Sequence, residues 1–328
     1  MKHQATLLAV ASAVAGTLLA PHSKAVTYTD ALTSPNSNDM NVMRSALTGS
    51  PQVSDQRNDP VTPYIAAGSQ GNWGNGARFA AAYQTMAQSI ANNAGVSEAY
   101  LAFDSQVTAF NEAKDVVLAT MYDITDGPNH SANVYAQLYV GGNQVRSASR
   151  GGGVFNIPTG LTSVNQGIWT TGEYPIFTLG PVALYVTAAL SGTASQVVQG
   201  RIWHDGTKAT FTQSAAVTAT AGVGVKALGA SAGIKLQNLR LIQAGQTLNA
   251  TAQFIPCNTV TVGESASLFL QELGGSIVAW ASVPFAGSYE STIASWPGLT
   301  QTSTIVNAPP TTRAFSTPCF SVSTPPSI

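Results

Sequence analysis

The sequence predicts a mainly β protein, with one or two antiparallel β-sandwich units and a helical hairpin on their N-terminal side. From Val116 onward, runs that alternate apolar and polar residues end in Gly-rich turns, which is typical of antiparallel sheets. Helical spacing is confined to residues 76–114. Only 9% of the residues are charged, and the chain begins like a secretory precursor.

Residues 1–25 have the layout of a signal peptide. Lys2 and His3 precede an apolar run from Ala5 to Ala20, and Ser23 and Ala25 are small residues at the spacing of a cleavage site. The run of about 16 residues is shorter than the ~20 that a membrane-spanning helix needs, so cleavage is favoured over an anchor or an uncleaved helix. We therefore expect a secreted or cell-surface protein, extracellular or periplasmic.

Charge excludes one class of partner. The chain has 14 basic and 15 acidic residues, and the basic residues do not cluster. Binding to a phosphate backbone requires clustered Lys and Arg, so no nucleic-acid partner is expected.

The region before the β-strands divides into two predicted parts. Residues 26–75 are rich in Ser, Thr, Asn, Asp and Pro without periodicity, which predicts an extended polar arm or linker. Residues 76–114 predict a helical hairpin that breaks at Gly95. Its apolar residues recur three or four positions apart: Phe79, Tyr83, Met86 and Ile90, then Tyr100, Phe103, Val107 and Phe110.

Residues 115–306 predict the β-sandwich region. Gly-rich turns recur about every 65 to 70 residues, which indicates either a weak duplication, and hence two units, or the ordinary spacing of one sandwich. The run from Phe211 to Lys226 alternates over its whole length, which is typical of a long, half-buried strand. The alternative is a membrane-inserting hairpin around residues 211–241, where basic residues occur without acidic ones.

The last segment, residues 307–328, is a Pro-rich tail. Cys257 and Cys319 are the two cysteines of the chain, and an even number in an exported protein predicts one disulfide. This bond would tie the tail to the preceding β region.

Two sets of residues are candidate ligand sites. Asp123, Asp126, Asn129 and His130 fall in one loop, where their oxygens suit a Ca²⁺ ion, although Asp and Asn are also ordinary turn residues. Trp169 and Trp296 lie in Gly-, Pro- and Thr-rich loops and suit stacking on a carbohydrate, although such residues more often pack at strand ends.

No coherent catalytic set is present in the sequence. Gly229 to Gly233 matches the G-x-S-x-G pattern around Ser231, but no His follows it to act as the base. We expect a non-enzymatic structural, adhesion or surface-binding protein without a cofactor, whose partner is a second copy or a surface polymer or glycan. The alternatives are a membrane-inserting, pore-forming protein and a secreted carbohydrate-active enzyme or carbohydrate-binding protein.

Overall fold

The structure, a computed structural model, describes residues 52–326 except 76–78, 110–111, 141–142, 171 and 256–257. Within these ranges all regular secondary structure is β, in fifteen strands, and no helix occurs. The predicted signal peptide lies outside the described residues. The strands are β1 (Gln52–Gln56), β2 (Tyr64–Asn75), β3 (Phe79–Ala91), β4 (Val96–Ala109), β5 (Glu112–Asp126), β6 (Ser131–Val140), β7 (Asn143–Gly151), β8 (Gly153–Thr170), β9 (Tyr174–Leu179), β10 (Val182–Trp203), β11 (Gly206–Ala227), β12 (Ala230–Ile255), β13 (Thr259–Val283), β14 (Gly287–Trp296) and β15 (Leu299–Ala314).

The strands form two antiparallel sheets. The small sheet is a seven-stranded meander of β1 to β7 in chain order. The large sheet has eight strands, with the path β14-β13-β12-β11-β10-β8, while β9 also pairs with β10 and β15 also pairs with β13. The predicted mainly β, antiparallel class is therefore confirmed.

The two sheets pack face to face around one apolar core. Every second residue of the central strands points inward, so the core combines residues of both sheets. The small sheet contributes Leu101, Phe103, Met121 and Leu138, and the large sheet contributes Val198, Phe211, Leu248, Phe254 and Leu268. The described strands thus make one sandwich. The Gly-rich turns that suggested a duplication do not separate equivalent units, because one of them, at Gly274 and Gly275, lies inside the single strand β13.

The structure does not show the predicted helical hairpin, since residues 79–91 and 96–109 are the paired strands β3 and β4. The small sheet is apolar on both faces: Tyr83 and Phe103 belong to the sandwich core, and Met86 and Tyr100 to a second cluster on the opposite face. Apolar residues on both faces remove the period of two, and the remaining spacing of three and four resembles that of a helix. The predicted break at Gly95 is a turn with φ of 83°.

Two predicted boundaries also differ from the structure. The polar linker predicted over residues 26–75 contains β1 and β2, and its earlier part lies outside the described residues. At the other end β15 continues to Ala314, so the tail begins at residue 315. Phe320 of the tail is buried against Phe254 and His204, with ring centroids 6.1 Å from each, and the tail covers one end of the sandwich.

Candidate interaction surface

The four long strands β10 to β13 continue beyond the small sheet. Sandwich-core residues begin at Leu190 in β10, end at Ala219 in β11, begin at Leu241 in β12 and end at Leu270 in β13. The remaining parts of these strands, with β9 and β14 at the edges, form a projecting single sheet. We call it the arm and define it as residues 174–188, 221–236 and 277–296.

β-Bulges mark the junction between the sandwich and the arm. The pairing register shifts between Leu190 and Ser191 in β10, between Ala219 and Ala221 in β11, and around Gln237 in β12. The edge strands also change there, because β8 gives way to β9 and β15 to β14. A bulge bends a strand and increases its twist, so this line of bulges sets the direction of the arm.

One face of the arm is apolar and lies on the same side of the large sheet as the core. β10 and β11 pair without a register shift from Val182 to Trp203, so the residue alternation that fills the core continues into the arm. We call this surface the arm face. Besides alanines and Ser291, it includes Tyr174, Leu179, Val182, Leu184, Val186, Val223, Val225, Ile234, Leu236, Ile277, Val283 and Tyr289.

The arm face is open to solvent. Seven of its large residues are between 40% and 69% exposed: Tyr174, Leu179, Val182, Val225, Ile234, Val283 and Tyr289. Isolated exposed apolar residues are ordinary on a protein surface, but a contiguous apolar surface across several strands is typical of an interaction site.

The opposite face of the arm carries its charged residues, together with the buried Val278. The Lys235 ammonium lies 2.5 Å from the Glu290 carboxylate, and the Lys226 ammonium 3.3 Å from that of Glu173. This face also carries the ring pair of Tyr185 and Trp280, with centroids 6.4 Å apart. The rings lie over Gly224, where a Cβ would come within 2.7 Å of Tyr185. The ion pairs of the arm therefore lie on this face and not on the arm face.

Three hairpin turns form the tip of the arm, and two of them present large apolar residues. Leu228 and Gly229 connect β11 to β12 with φ of 50° and 84°, and Phe285, between β13 and β14, has φ of 66°. Both Leu228 and Phe285 are highly exposed. A left-handed conformation is unfavourable for such side chains, so local preference alone does not account for these residues.

The two tryptophans predicted to bind carbohydrate lie at opposite edges of the large sheet. Trp169 is in β8 opposite Leu190, and its side chain is not among those described. Trp296 ends β14 opposite Gly275 and is half-buried. Strands β10 to β13 lie between them, so the structure does not bring the two residues together.

The predicted calcium loop is divided between the core and the surface. Asp123 is buried, where its carboxylate accepts hydrogen bonds from the Ala99 amide at 2.6 Å and from the Thr207 hydroxyl. Asp126 accepts from the backbone and side-chain nitrogens of Asn129 at 3.0 and 2.8 Å. The His130 ring packs edge-on against His204, with centroids 4.8 Å apart. No group of three or more His, Cys, Asp or Glu residues that suits a metal occurs in the described part of the chain.

Two buried carboxylates have perturbed pKa values. Burial raises the pKa of Asp123 to about 7, against the opposing effect of its hydrogen bonds from Thr207 and Ala99. Burial also raises the pKa of Glu264 well above its usual value, and Ser89 of the small sheet partly offsets this. Sequence reasoning missed Glu264 as a core residue. Its one signal was a position within an alternating β pattern.

The predicted disulfide stays a prediction, because Cys257 lies outside the described residues. A search of the described residues for a helix that is long and apolar enough to span a bilayer finds none. Comparison with known protein families, curated proteins and solved structures finds no match to this chain.

Proposed function

We propose that this chain is an exported, non-enzymatic structural, adhesion or surface-binding protein that acts through its arm. The observation that carries this proposal is the apolar arm face, which is exposed although it continues the core surface of the same strands. Exposing such a face costs solubility without stabilising the monomer. A partner that covers it is the simplest reason for its presence.

The leader and the cysteines support export. Cleavage after Ala25 would release the mature chain, and a Cys257–Cys319 bond would form in an oxidising compartment. The Phe315 amide donates a 2.7 Å hydrogen bond to the Asn258 carbonyl, so the start of the tail lies beside the residue that follows Cys257. We expect no titratable thiol in the native protein, and two after reduction under denaturing conditions.

The positions of the perturbed carboxylates support a non-enzymatic role. Asp123 and Glu264 have the raised pKa values that are typical of general acids, but both are buried between the two sheets. A catalytic acid must come within hydrogen-bond reach of its substrate, and these side chains point into the core.

The two alternatives receive less support. Insertion of residues 211–241 into a membrane would require β11 and β12 to leave the middle of the large sheet, where each is paired on both sides. It would also expose the sandwich core around Phe211 and Leu248, which are both fully buried. For carbohydrate binding, Trp169 and Trp296 would have to act separately, because they lie at opposite edges.

The test uses two matched double variants of the full-length chain in the cells that produce it. The arm-face variant is Val225→Glu with Ile234→Glu. The opposite-face variant is Thr178→Glu with Thr292→Glu, and both threonines are exposed on the opposite face of the arm. The measurement is the fraction of mature protein that remains with the cell surface rather than in the medium.

We expect the wild type and the opposite-face variant to remain at the surface and the arm-face variant to be released. Equal retention of both variants would contradict action through the arm. Release of soluble sugars from surface polymer by the purified wild type would instead establish an enzyme.

A further inference from the structure

We propose that the partner of the arm face is the arm face of a second copy of this chain, so that two arms close into a second sandwich. This inference rests on the proposed function in using the same face, and it names the partner. It predicts a two-fold pair in which each chain contributes the same residues.

The first argument is continuity with the sandwich. Along β10 and β11 the same side of the sheet is covered by the small sheet as far as Leu190 and Ala219, and is exposed beyond them. In the sandwich, the cover for this surface is a second apolar sheet. A second arm face offers the same kind of cover, and sheets pack through apolar faces that lie about 10 Å apart.

The second argument is the size of the arm face. Six strands spaced about 4.8 Å apart span about 24 Å, and about seven residues each at ~3.4 Å per residue span another 24 Å, which gives a flat area of roughly 570 Å². A pair of arms therefore hides roughly 1,100 Å² before side-chain relief is included, which passes the ~1,000 Å² expected of a specific interface.

The third argument is the arrangement of large and small side chains on the arm face. Large side chains such as Val225 and Ile234 stand beside Ala230, Ala232, Ala279 and Ala281 of neighbouring strands on the same face. Alternating large and small residues let the side chains of one sheet fit between those of another. Such a surface can be complementary to its own copy.

Charge argues against an anionic membrane as the partner. The arm face carries no charged side chain, and Lys226 and Lys235 are paired with Glu173 and Glu290 on the opposite face. Attraction to anionic lipid requires unpaired basic residues directed at the surface. A second arm requires no charge at all.

The test is sedimentation velocity on the purified wild type, the arm-face variant and the opposite-face variant over a wide concentration range. We expect a monomer–dimer equilibrium for the wild type and the opposite-face variant. The arm-face variant should have a dissociation constant at least about 100-fold higher, because like charges would face one another in a dry interface.

Hydrogen exchange of the wild type gives a second measurement that requires no variant. Amides of β9 to β14 within the arm should gain protection as protein concentration rises, while those of β3 to β6 should not change. The proposal is overturned by a wild type that is monomeric at every concentration, or by association that both variants retain.

Vesicles of phosphatidylcholine, with and without phosphatidylserine, identify the lipid alternative. Binding of a monomeric wild type to either vesicle, lost only in the arm-face variant, would replace the second copy with lipid. A monomeric wild type whose arm-face variant still leaves the cell surface would overturn this inference but support the proposed function. A dimer that forms through the arm while both variants stay at the surface would support the inference but contradict the proposed function.

Discussion

At the scale of residues, three glutamines in adjacent strands connect the two sheets through the core. Gln196, Gln213 and Gln246 lie side by side in the large sheet, and all three are buried. Their amide nitrogens point toward backbone carbonyls of the small sheet, and Gln246 also donates to the Thr85 hydroxyl. Because each bond joins a defined residue of one sheet to a defined residue of the other, the row fixes how the sheets align.

Removing one glutamine of this row should lower the free energy of unfolding. Gln196 donates to the carbonyls of Thr120 at 2.8 Å and Gln137 at 3.2 Å. Gln196→Ala leaves a cavity and loses both bonds, so we expect a loss of about 2 kcal/mol in urea titration. The control is Gln199→Ala, an exposed position of the same strand, which should change stability by less than about 0.5 kcal/mol. An equal effect of the two would show that the row contributes nothing.

Asp123 should make the protein less stable as pH rises. Its folded pKa of about 7 exceeds the value near 4 of an unfolded chain, so between these values the folded state binds more protons than the unfolded state. The free energy of unfolding therefore falls as pH rises through this window, by up to ~4 kcal/mol for this group, and levels off above it.

Asp123→Asn cannot ionise, and its side chain can still accept from Ala99 and donate to Thr207. We expect urea titrations from pH 4 to 8 to give a flatter pH dependence for this variant. Glu264 changes stability in the same direction, so Glu264→Gln should remove a further part of the slope. A slope unchanged in Asp123→Asn would contradict the assignment.

At the scale of elements, a substitution in the turn between β11 and β12 should stabilise the protein. Leu228 and Gly229 both have positive φ, as a type I′ turn requires, and Asn-Gly is the preferred pair for that turn. Leu228→Asn should therefore raise the free energy of unfolding by about 1 kcal/mol. Leu228→Ala, which keeps the unfavourable φ, should bring no such gain. Equal melting temperatures for the two variants would contradict this reading of the turn.

The strands differ in how well the sequence predicts them. The alternation from Phe211 to Lys226 correctly predicts a long strand with one apolar face, because the other face of β11 carries no large apolar residue. β3 and β4 are mistaken for helices because Tyr83 and Met86, like Tyr100 and Phe103, fill opposite faces of the small sheet. Apolar and polar residues alternate along a strand only when one of its faces is apolar. A strand with two apolar faces has no period of two, so its sequence does not identify it as a strand.

The candidate site could not be predicted from the same pattern. Val217 and Val225 have equivalent places in the alternation of β11, yet the first is buried in the core and the second is exposed on the arm face. The difference arises from where the small sheet ends, which depends on strands far away in the chain. The local sequence of β11 therefore does not show where its cover by the small sheet ends.

At the scale of the whole molecule, the sandwich and the arm should differ in local stability. The sandwich has two layers around one core, whereas the arm is a single layer with one face in solvent. At protein concentrations low enough to keep the chain monomeric, amides of β9 and β14 should exchange with solvent faster than those of β4 and β5. Hydrogen exchange read by mass spectrometry checks this. Uniform protection of both regions would contradict the division.

The four strands β10 to β13 run from the tip of the arm to the far end of the sandwich. Hydrogen bonds between antiparallel strands stand perpendicular to the strand axis. A pull along that axis therefore loads many of them in shear at the same time, whereas a pull across the sheet opens the pairs of an edge strand one after another. A molecule held by its arm would resist tension along its length far better than force applied from the side.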